Sequence, residues 1–247
     1  MSIASFLYDV WALGLFFQAL LLVVLLGKGK WRTFPIFTSY IAFSLFESGV
    51  GYAVFGHRTL YFATYVVGES VLMILGLALV REIFIQLFSA HDGLRKMATL
   101  IFRVVIVTLL LLAVSVIYAK APIGKNGIGT ALLIVEEAAR IVQVGLIMFL
   151  FLFSSAFGLR WRQHVFGVAL GLGMTSVGGL LTVTMTPYVN GAVALGLNIA
   201  HIATFDLALL VWIGYLLSSE PVKISAEIPK QAQLEQWNQA VMELINR

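Results

Sequence analysis

One apolar segment decides the fold of this chain: Tyr61-Phe-Ala-Thr-Tyr-Val-Val-Gly-Glu-Ser-Val-Leu-Met-Ile-Leu-Gly-Leu-Ala-Leu-Val-Arg81. A helix rises about 1.5 Å per residue, so roughly 20 mostly apolar residues cross about 30 Å of hydrocarbon. The segment is long enough to do so, yet Glu69 lies well inside it. A carboxylate that faces lipid is costly. Other helices must therefore give Glu69 a partner, water or a proton.

The composition places the chain in a lipid bilayer. Of its 247 residues, 60% are hydrophobic and 11% are charged, with a mean hydropathy of +0.97, whereas soluble domains carry about 25% charged residues. The net charge of +4 comes from Lys and Arg in short connections rather than in one patch, so no nucleic-acid partner is expected. There is no cysteine, which excludes disulfides and thiolate zinc sites. We expect a multi-pass protein of the plasma (inner) membrane.

Seven apolar spans follow one another, separated by short polar or Gly/Pro-containing connections. They cover residues 6–26, 35–55, 61–81, 104–118 with an extension from 97, the residues after 129 up to 159, 165–185, and 193–217. Apolar residues at 83, 84, 87 and 88 continue a helix after the third span, which we expect along the membrane interface. The sequence therefore predicts an all-α integral membrane fold, with a seven-transmembrane-helix bundle over residues 1–219.

The positions of Lys and Arg predict the orientation, because basic connections stay preferentially cytoplasmic. With the N-terminus outside, twelve of the sixteen Lys and Arg residues lie on the inner side. Arg58, Lys120 and Lys125 lie on the outer side, and Arg140 lies within or beside span 5. We therefore predict the N-terminus outside and the C-terminus in the cytoplasm.

Four polar residues lie deep within the predicted spans. Counted from each helix's inner end, Asp206, Glu69, Glu47 and His201 lie roughly 16, 18, 20 and 24 Å up. Arg140 follows at about 28 Å, and Glu136 and Glu137 at about 33 Å, which is the mouth of the bundle. There, Glu136 and Arg140 could simply form an i, i+4 ion pair on the outer surface.

This order of depths predicts a polar funnel that opens outwards. Asn198 and His201 are three residues apart and share a helix face. Three deep acids face at most one nearby base, so at least one acid should hold a proton or bind a cation. Alternatively, each acid is protonated and hydrogen-bonds a neighbour such as Ser70, Thr175, Ser176 or Asn198, purely as contact between helices.

Several familiar chemistries lack their residues. Span 7 has no lysine for a retinal Schiff base, and His201 is the only deep histidine, too few for a zinc hydrolase or a bis-histidine haem. No Gly-x-Ser-x-Gly or His-Glu-x-x-His motif occurs. We therefore expect no enzyme activity, no cofactor and no metal.

The last part of the chain, residues 220–247, is polar and is predicted to be a cytoplasmic tail. Leu234, Trp237, Val241 and Leu244 recur at helical spacing, which indicates an amphipathic helix. Its apolar face would dock on the membrane surface or on the bundle, or would bind a cytoplasmic or membrane protein partner through residues 230–247.

Three function classes fit these features. The first is a receptor-like or sensory protein that binds a small polar ligand from outside, with Glu47, Glu69 and His201 lining the site and Arg140 orienting an anionic group. The second is a proton- or cation-coupled small-solute transporter with Glu69 and Asp206 as carriers. The third is an accessory subunit without its own site, favoured by the tail and by the Gly-rich sixth span. In helix count and orientation the chain resembles seven-helix receptors and the membrane sensor regions of some bacterial signalling kinases, in architecture alone.

Overall fold

The computed structural model describes residues 3–54, 56–89, 92–120, 128–157 and 163–218. In these ranges the protein is all-α, with seven α-helices, two single 3-10 turns and no strand. The helices are α1 (Ile3–Gly27), α2 (Pro35–Val54), α3 (Arg58–Phe88), α4 (Asp92–Lys120), α5 (Ile128–Ala156), α6 (Gln163–Met185) and α7 (Gly191–Leu217). The predicted amphipathic tail helix lies outside the described residues.

Five of these helices are long and apolar enough to cross a membrane. The qualifying stretches are Thr59–Phe88, Ala98–Ser115, Leu133–Ala156, Gln163–Tyr188 and Gly191–Leu217, and Trp11–Gly27 is a shorter apolar helix. The outer faces of the bundle carry large apolar side chains, such as Phe16 (61% exposed) and Ile74 (68% exposed). Such a surface is unusual for a soluble monomer, so the structure supports a multi-pass membrane protein.

The predicted start of α2 at Pro35 is confirmed, and spans 1, 6 and 7 match α1, α6 and α7 within three residues at each end. The third span differs, because α3 continues unbroken to Phe88 rather than ending at Arg81. The prediction of an interfacial segment there was wrong: Ile83, Phe84, Leu87 and Phe88 are buried in the core. The physical reason is that Glu82, also buried, accepts hydrogen bonds from the N–H groups of Ile36 (3.0 Å) and Phe37 (2.9 Å), which ties α3 to the start of α2.

Six helices form a ring and one lies outside it. Neighbouring contacts run α1–α2, α2–α3, α3–α5, α5–α6, α6–α7 and back to α1, while α4 packs chiefly on α5. Only 17% of the apolar stretch of α4 is buried, against 50% for α6. The interior of the ring is therefore built without α4.

One end of the ring is filled with apolar side chains, and we call it the closed end. Lys28 at the end of α1 donates hydrogen bonds to the carbonyls of Leu216 (3.3 Å) and Leu217 (2.9 Å), and Gln163 donates to Ser218 (2.6 Å). The rings of Phe84 and Phe102 stack there at 4.3 Å. The ends of α1, α3 and α7 and the starts of α2, α4 and α6 thus meet at the closed end.

Glycines on α6 allow a close approach to α7, as the glycine spacing of span 6 predicts. A side chain at Gly171 would overlap the indole of Trp212, and one at Gly167 would overlap the ring of Tyr215. The fully buried Trp212 donates its indole N–H to the carbonyl of Val168 (3.2 Å) and meets Phe37 edge to face at 5.1 Å. The indole therefore fixes α7 against both α6 and α2.

Candidate functional site

The opposite end of the ring, which we call the open end, contains two cavities. The outer one, the vestibule, has a volume of about 680 Å³, and the deeper one, the inner chamber, has about 190 Å³. The residues that line both are Trp11, Glu47, Ser48, Glu69, His201 and Ile202. The cavities share these walls and therefore adjoin each other; we call the two together the funnel, which lies between six helices.

The structure brings most of the sequence-predicted site residues to this funnel. Glu47, Glu69 and His201 line both cavities, while Arg140 and Asp206 line the inner chamber. The vestibule is also lined by Asn198 and Glu136. Glu137 lines neither cavity; it is buried and accepts a hydrogen bond from Thr184 (3.4 Å).

Arg140 bridges two carboxylates at the junction of the cavities. Its Nη2 lies 3.5 Å from Glu69 Oε2 on α3 and 3.5 Å from Glu136 Oε1 one turn earlier on α5. The hydroxyl of Tyr65 donates to the other oxygen of Glu136 (3.3 Å). All three ionic side chains are largely buried, so each depends on the others for its charge balance.

This arrangement differs from the surface ion pair considered for the mouth. Glu136 and Glu137 are only 7% and 8% exposed. The depth count had placed Arg140 well above Glu69, because it took Arg81 and Leu159 as the inner helix ends. Counted from Phe88 and Ala156, Glu69 and Arg140 lie at about 28 and 24 Å, close enough in height to pair.

A glycine on the facing helix makes room for each of four polar side chains in the funnel. A Cβ at Gly179 would lie 2.9 Å from the Cζ of Arg140, and one at Gly14 would lie 2.9 Å from the Oδ1 of Asp206. In the same way, Glu47 lies against Gly68, and Gln143 lies against Gly76. The polar side chains therefore cross between helices where no methyl group blocks them.

The polar residues of α7 have different surroundings. The ring of His201 hydrogen-bonds the backbone of Gly178 on α6, and its Nδ1 has no hydrogen-bond partner among the described residues. Asn198 is exposed, one turn towards the start of the helix. His201 is thus fixed on one side and available to the funnel on the other.

The hydroxyl groups proposed as neighbours of the acids are used within their own helices. Ser70 donates to the carbonyl of Val66 (2.7 Å), while Thr175 (3.0 Å) and Ser176 (2.6 Å) donate to that of Leu172. These bonds satisfy the hydroxyl donors locally, as is usual for Ser and Thr in helices. These three hydroxyl groups therefore do not donate hydrogen bonds to the funnel carboxylates.

Sequence reasoning missed several polar and aromatic funnel residues, among them Trp11, Gln18, Tyr40, Tyr65 and Gln143. Two of them carried a usable signal. Tyr65 is one turn before Glu69, and Gln143 is nearly one turn after Arg140, so each shares a helix face with a predicted site residue. Gln18 and Tyr40 have no such neighbour in the sequence, and only the packing of α1 and α2 places them.

The charge balance of the funnel is negative. Of the described residues, four carboxylates line it (Glu47, Glu69, Glu136 and Asp206) against one guanidinium (Arg140). No group of three or more His, Asp or Glu side chains in the described ranges is placed to hold a metal ion. The arrangement can bind a cationic or hydrogen-bond-donating group, and it has no built divalent-metal centre.

Comparison with protein-family models, with curated proteins and with solved structures finds no match to this chain. A pre-formed cavity between helices, walled by aromatic and polar side chains, is the usual place for a small ligand, and the funnel is a cavity of this kind.

Proposed function

We propose that this protein is a receptor-like or sensory seven-helix membrane protein that binds a small polar ligand from the outer side of the plasma (inner) membrane. The observation that carries the proposal is the funnel itself, in which Glu47, Glu69 and His201 join a 680 Å³ vestibule to a 190 Å³ chamber. The vestibule is large enough for a small molecule. The closed end is packed with apolar side chains, so access is from one side.

The distribution of basic residues supports an outward-facing open end. Lys28 and Lys30–Arg32 lie at the closed end, where α1 joins α2, and Arg58 lies at the start of α3, at the open end. By the positive-inside rule the closed end faces the cytoplasm. The N-terminus is then outside, and all seven helices cross the bilayer.

The funnel favours a ligand with a positive charge. Arg140 already balances Glu69 and Glu136, so it is poorly suited to the role expected from the sequence, that of orienting an anionic group. Glu47 has no hydrogen bond or ion pair to a described residue, and its side chain lines both cavities. Tyr61, Tyr65 and Trp11 supply aromatic walls beside it, which suit an organic cation.

A thermal-shift measurement on the full-length protein in detergent tests this function. The probes are choline, its neutral carbon isostere dimethylbutanol and the anion dimethylbutyrate, followed by a library of small amines, acids and zwitterions. We expect a saturable rise in the unfolding midpoint for a cation, with loss of that response in Glu47→Gln. Glu137→Gln is the matched control, since it removes a nearby carboxylate that lines neither cavity, and it should keep the response.

Two results would contradict this function. One is that no small molecule of any charge stabilises the protein. The other is that Glu47→Gln and Glu69→Gln both retain the full stabilisation by a ligand that binds wild type.

A second function, proton- or cation-coupled transport, is favoured by one specific observation. The inner chamber continues the vestibule as far as Asp206, so the carboxylates Glu69 and Asp206 line one continuous space. Flux into liposomes should then fall strongly in Glu69→Gln and in Asp206→Asn. Unchanged flux in both variants would exclude the two residues as carriers.

A further inference from the structure

We propose that the inner chamber holds one partly dehydrated monovalent cation, with Na⁺ as the probe, bound between Gln18 of α1 and Asp206 of α7. This site is separate from the vestibule site, and it does not depend on the identity of the vestibule ligand. Two side-chain oxygens carry the argument: Gln18 Oε1 and Asp206 Oδ1.

The two residues converge across the contact between α1 and α7. Asp206 Oδ1 lies only 2.9 Å from the position that a Cβ on Gly14 would occupy, so the carboxylate rests against the surface of α1. Gln18 is four residues after Gly14, hence one turn along on the same face of the helix. Both residues line the same 190 Å³ chamber.

Both oxygens are buried and lack a hydrogen-bond partner among the described residues. Gln18 is 3% exposed and Asp206 is 8% exposed. A buried acceptor without a partner destabilises the folded state, and a charged one does so more strongly. Two acceptors that face one chamber cannot satisfy each other, so the site calls for a cation or another donor between them.

The surrounding charges indicate a monovalent ion. Arg140 lies in the same chamber, but Glu69 and Glu136 already engage it at 3.5 Å. Glu47 lines both cavities, whereas Asp206 is the carboxylate that lines the inner chamber alone, together with the uncharged amide oxygen of Gln18. Ca²⁺ takes six to eight oxygen ligands and usually several carboxylates, and no group of three acidic or histidine side chains in the described ranges is placed to hold a metal ion. One negative charge is balanced by one monovalent cation, and the chamber leaves room for water to complete its shell.

The test is the unfolding midpoint of the full-length protein in detergent, titrated with NaCl at constant ionic strength. N-methylglucamine chloride replaces the sodium salt, and KCl tests selectivity. We expect a saturable, sodium-specific rise in the midpoint for wild type. Asp206→Asn should abolish it, and Gln18→Met, which keeps the side-chain length but removes the oxygen, should weaken the apparent affinity at least tenfold.

Two further variants separate this site from the rest of the funnel. Gln143→Met removes a second buried chamber glutamine, one that lies against Gly76 on α3, and should leave the sodium response unchanged. Glu47→Gln should also retain the sodium response while losing the response to an organic cation. If no sodium response is found, the test of organic-cation binding in the vestibule is still valid. If no organic cation binds, the sodium test is still valid.

The inference is overturned if sodium and N-methylglucamine act equally on wild type, as they would if water or the amide group of Gln18 satisfies Asp206. It is also overturned if Gln18→Met or Asp206→Asn keeps the full sodium response. Should Asp206→Asn fail to fold, binding of radioactive sodium to wild type and Gln18→Met decides: absence of binding to wild type, or equal binding to both, overturns the site.

Discussion

Each end of helix α6 has a glycine against which a large side chain of a neighbouring helix packs, but one side chain is aromatic and the other is charged. At the closed end, Gly171 admits the indole of Trp212, which is fully buried against α6. At the open end, Gly179 admits the guanidinium of Arg140, whose charge needs carboxylates around it. Both glycines let a neighbouring side chain lie against the backbone of α6. The ring of Trp212 packs into the closed end, whereas the guanidinium of Arg140 keeps the open end polar.

The difference predicts that stability and ligand response depend on different ends of this fold. The closed end consists of interlocking aromatic and aliphatic side chains, including Phe37, Phe88, Phe153 and Trp212. The open end contains the two adjoining cavities of the funnel. Substitutions at the closed end should therefore act on stability, and those at the open end should act on ligand response. Four variants test this separation.

The largest effect is expected for Trp212→Ala at the closed end. The change removes a fully buried ring with its bond to Val168, and large-to-small core changes of this kind cost about 3 to 5 kcal/mol. The unfolding midpoint should fall accordingly in a detergent melt. Trp31→Ala, which truncates an exposed tryptophan, is the matched control; equal losses in both would refute the role given to Trp212.

Arg140→Gln at the open end comes next. It leaves Glu69 and Glu136 without their shared cation. Breaking a buried ion pair by removing one partner costs about 3 kcal/mol. Adding Glu69→Gln to this variant should recover part of the loss, because one unpaired carboxylate is then removed. Arg81→Gln, at an exposed position of α3, should be nearly neutral. No recovery in the double variant would show that the ion pair is not what Arg140 contributes.

A smaller effect is expected for Gly171→Ala. The new methyl group would overlap the Trp212 indole, and overpacking of a core costs about 1 to 3 kcal/mol. Gly173→Ala, two residues further along α6, meets only Ile147 Cγ2 at 3.5 Å, an ordinary contact, and gains helix propensity. Gly171→Ala should lower the unfolding midpoint, and Gly173→Ala should leave it unchanged or raise it. Identical midpoints for the two variants would contradict the close packing of α6 and α7.

Gly179→Ala should have the smallest effect on stability and a clear effect on ligand response. Its methyl group would press on the end of the flexible Arg140 side chain, 2.9 Å away, so the guanidinium can move at a cost below about 1 kcal/mol. Displacing it from Glu69 and Glu136 leaves these carboxylates less neutralised and should strengthen cation binding. Gly49→Ala, with open space around it, is the control and should change neither property.

The helices were predictable because their signals are local. Runs of apolar residues of sufficient length predict spans, and Pro35, which favours a first helical position, predicts the start of α2. The small residues of span 6 predicted close packing, and α6 and α7 do pack closely. Each of these inferences needs only neighbouring residues in the chain.

The site was predictable only in part, because its geometry depends on contacts between distant segments. Counting depth brought Glu47, Glu69 and His201 together, but it placed Arg140 too far above Glu69. The height of Glu69 depends on where α3 ends, and that end is tied to α2 by the hydrogen bonds of Glu82. The rotation of each helix about its axis is also set by packing. Gln18, a single amide in an apolar span, gave no sign that it would line the same chamber as Asp206.

Cysteine labelling provides the most direct test of an outward-facing funnel, because the natural chain contains no cysteine. A single cysteine at Ser48, which lines both cavities, is compared with one at Ser39, exposed near the closed-end start of the same helix. Thiol reagents need a hydrated thiolate. In intact cells a membrane-impermeant reagent should label Ser48→Cys, and it should label Ser39→Cys only after permeabilisation. The reverse pattern, or no labelling of Ser48→Cys under either condition, would contradict the funnel.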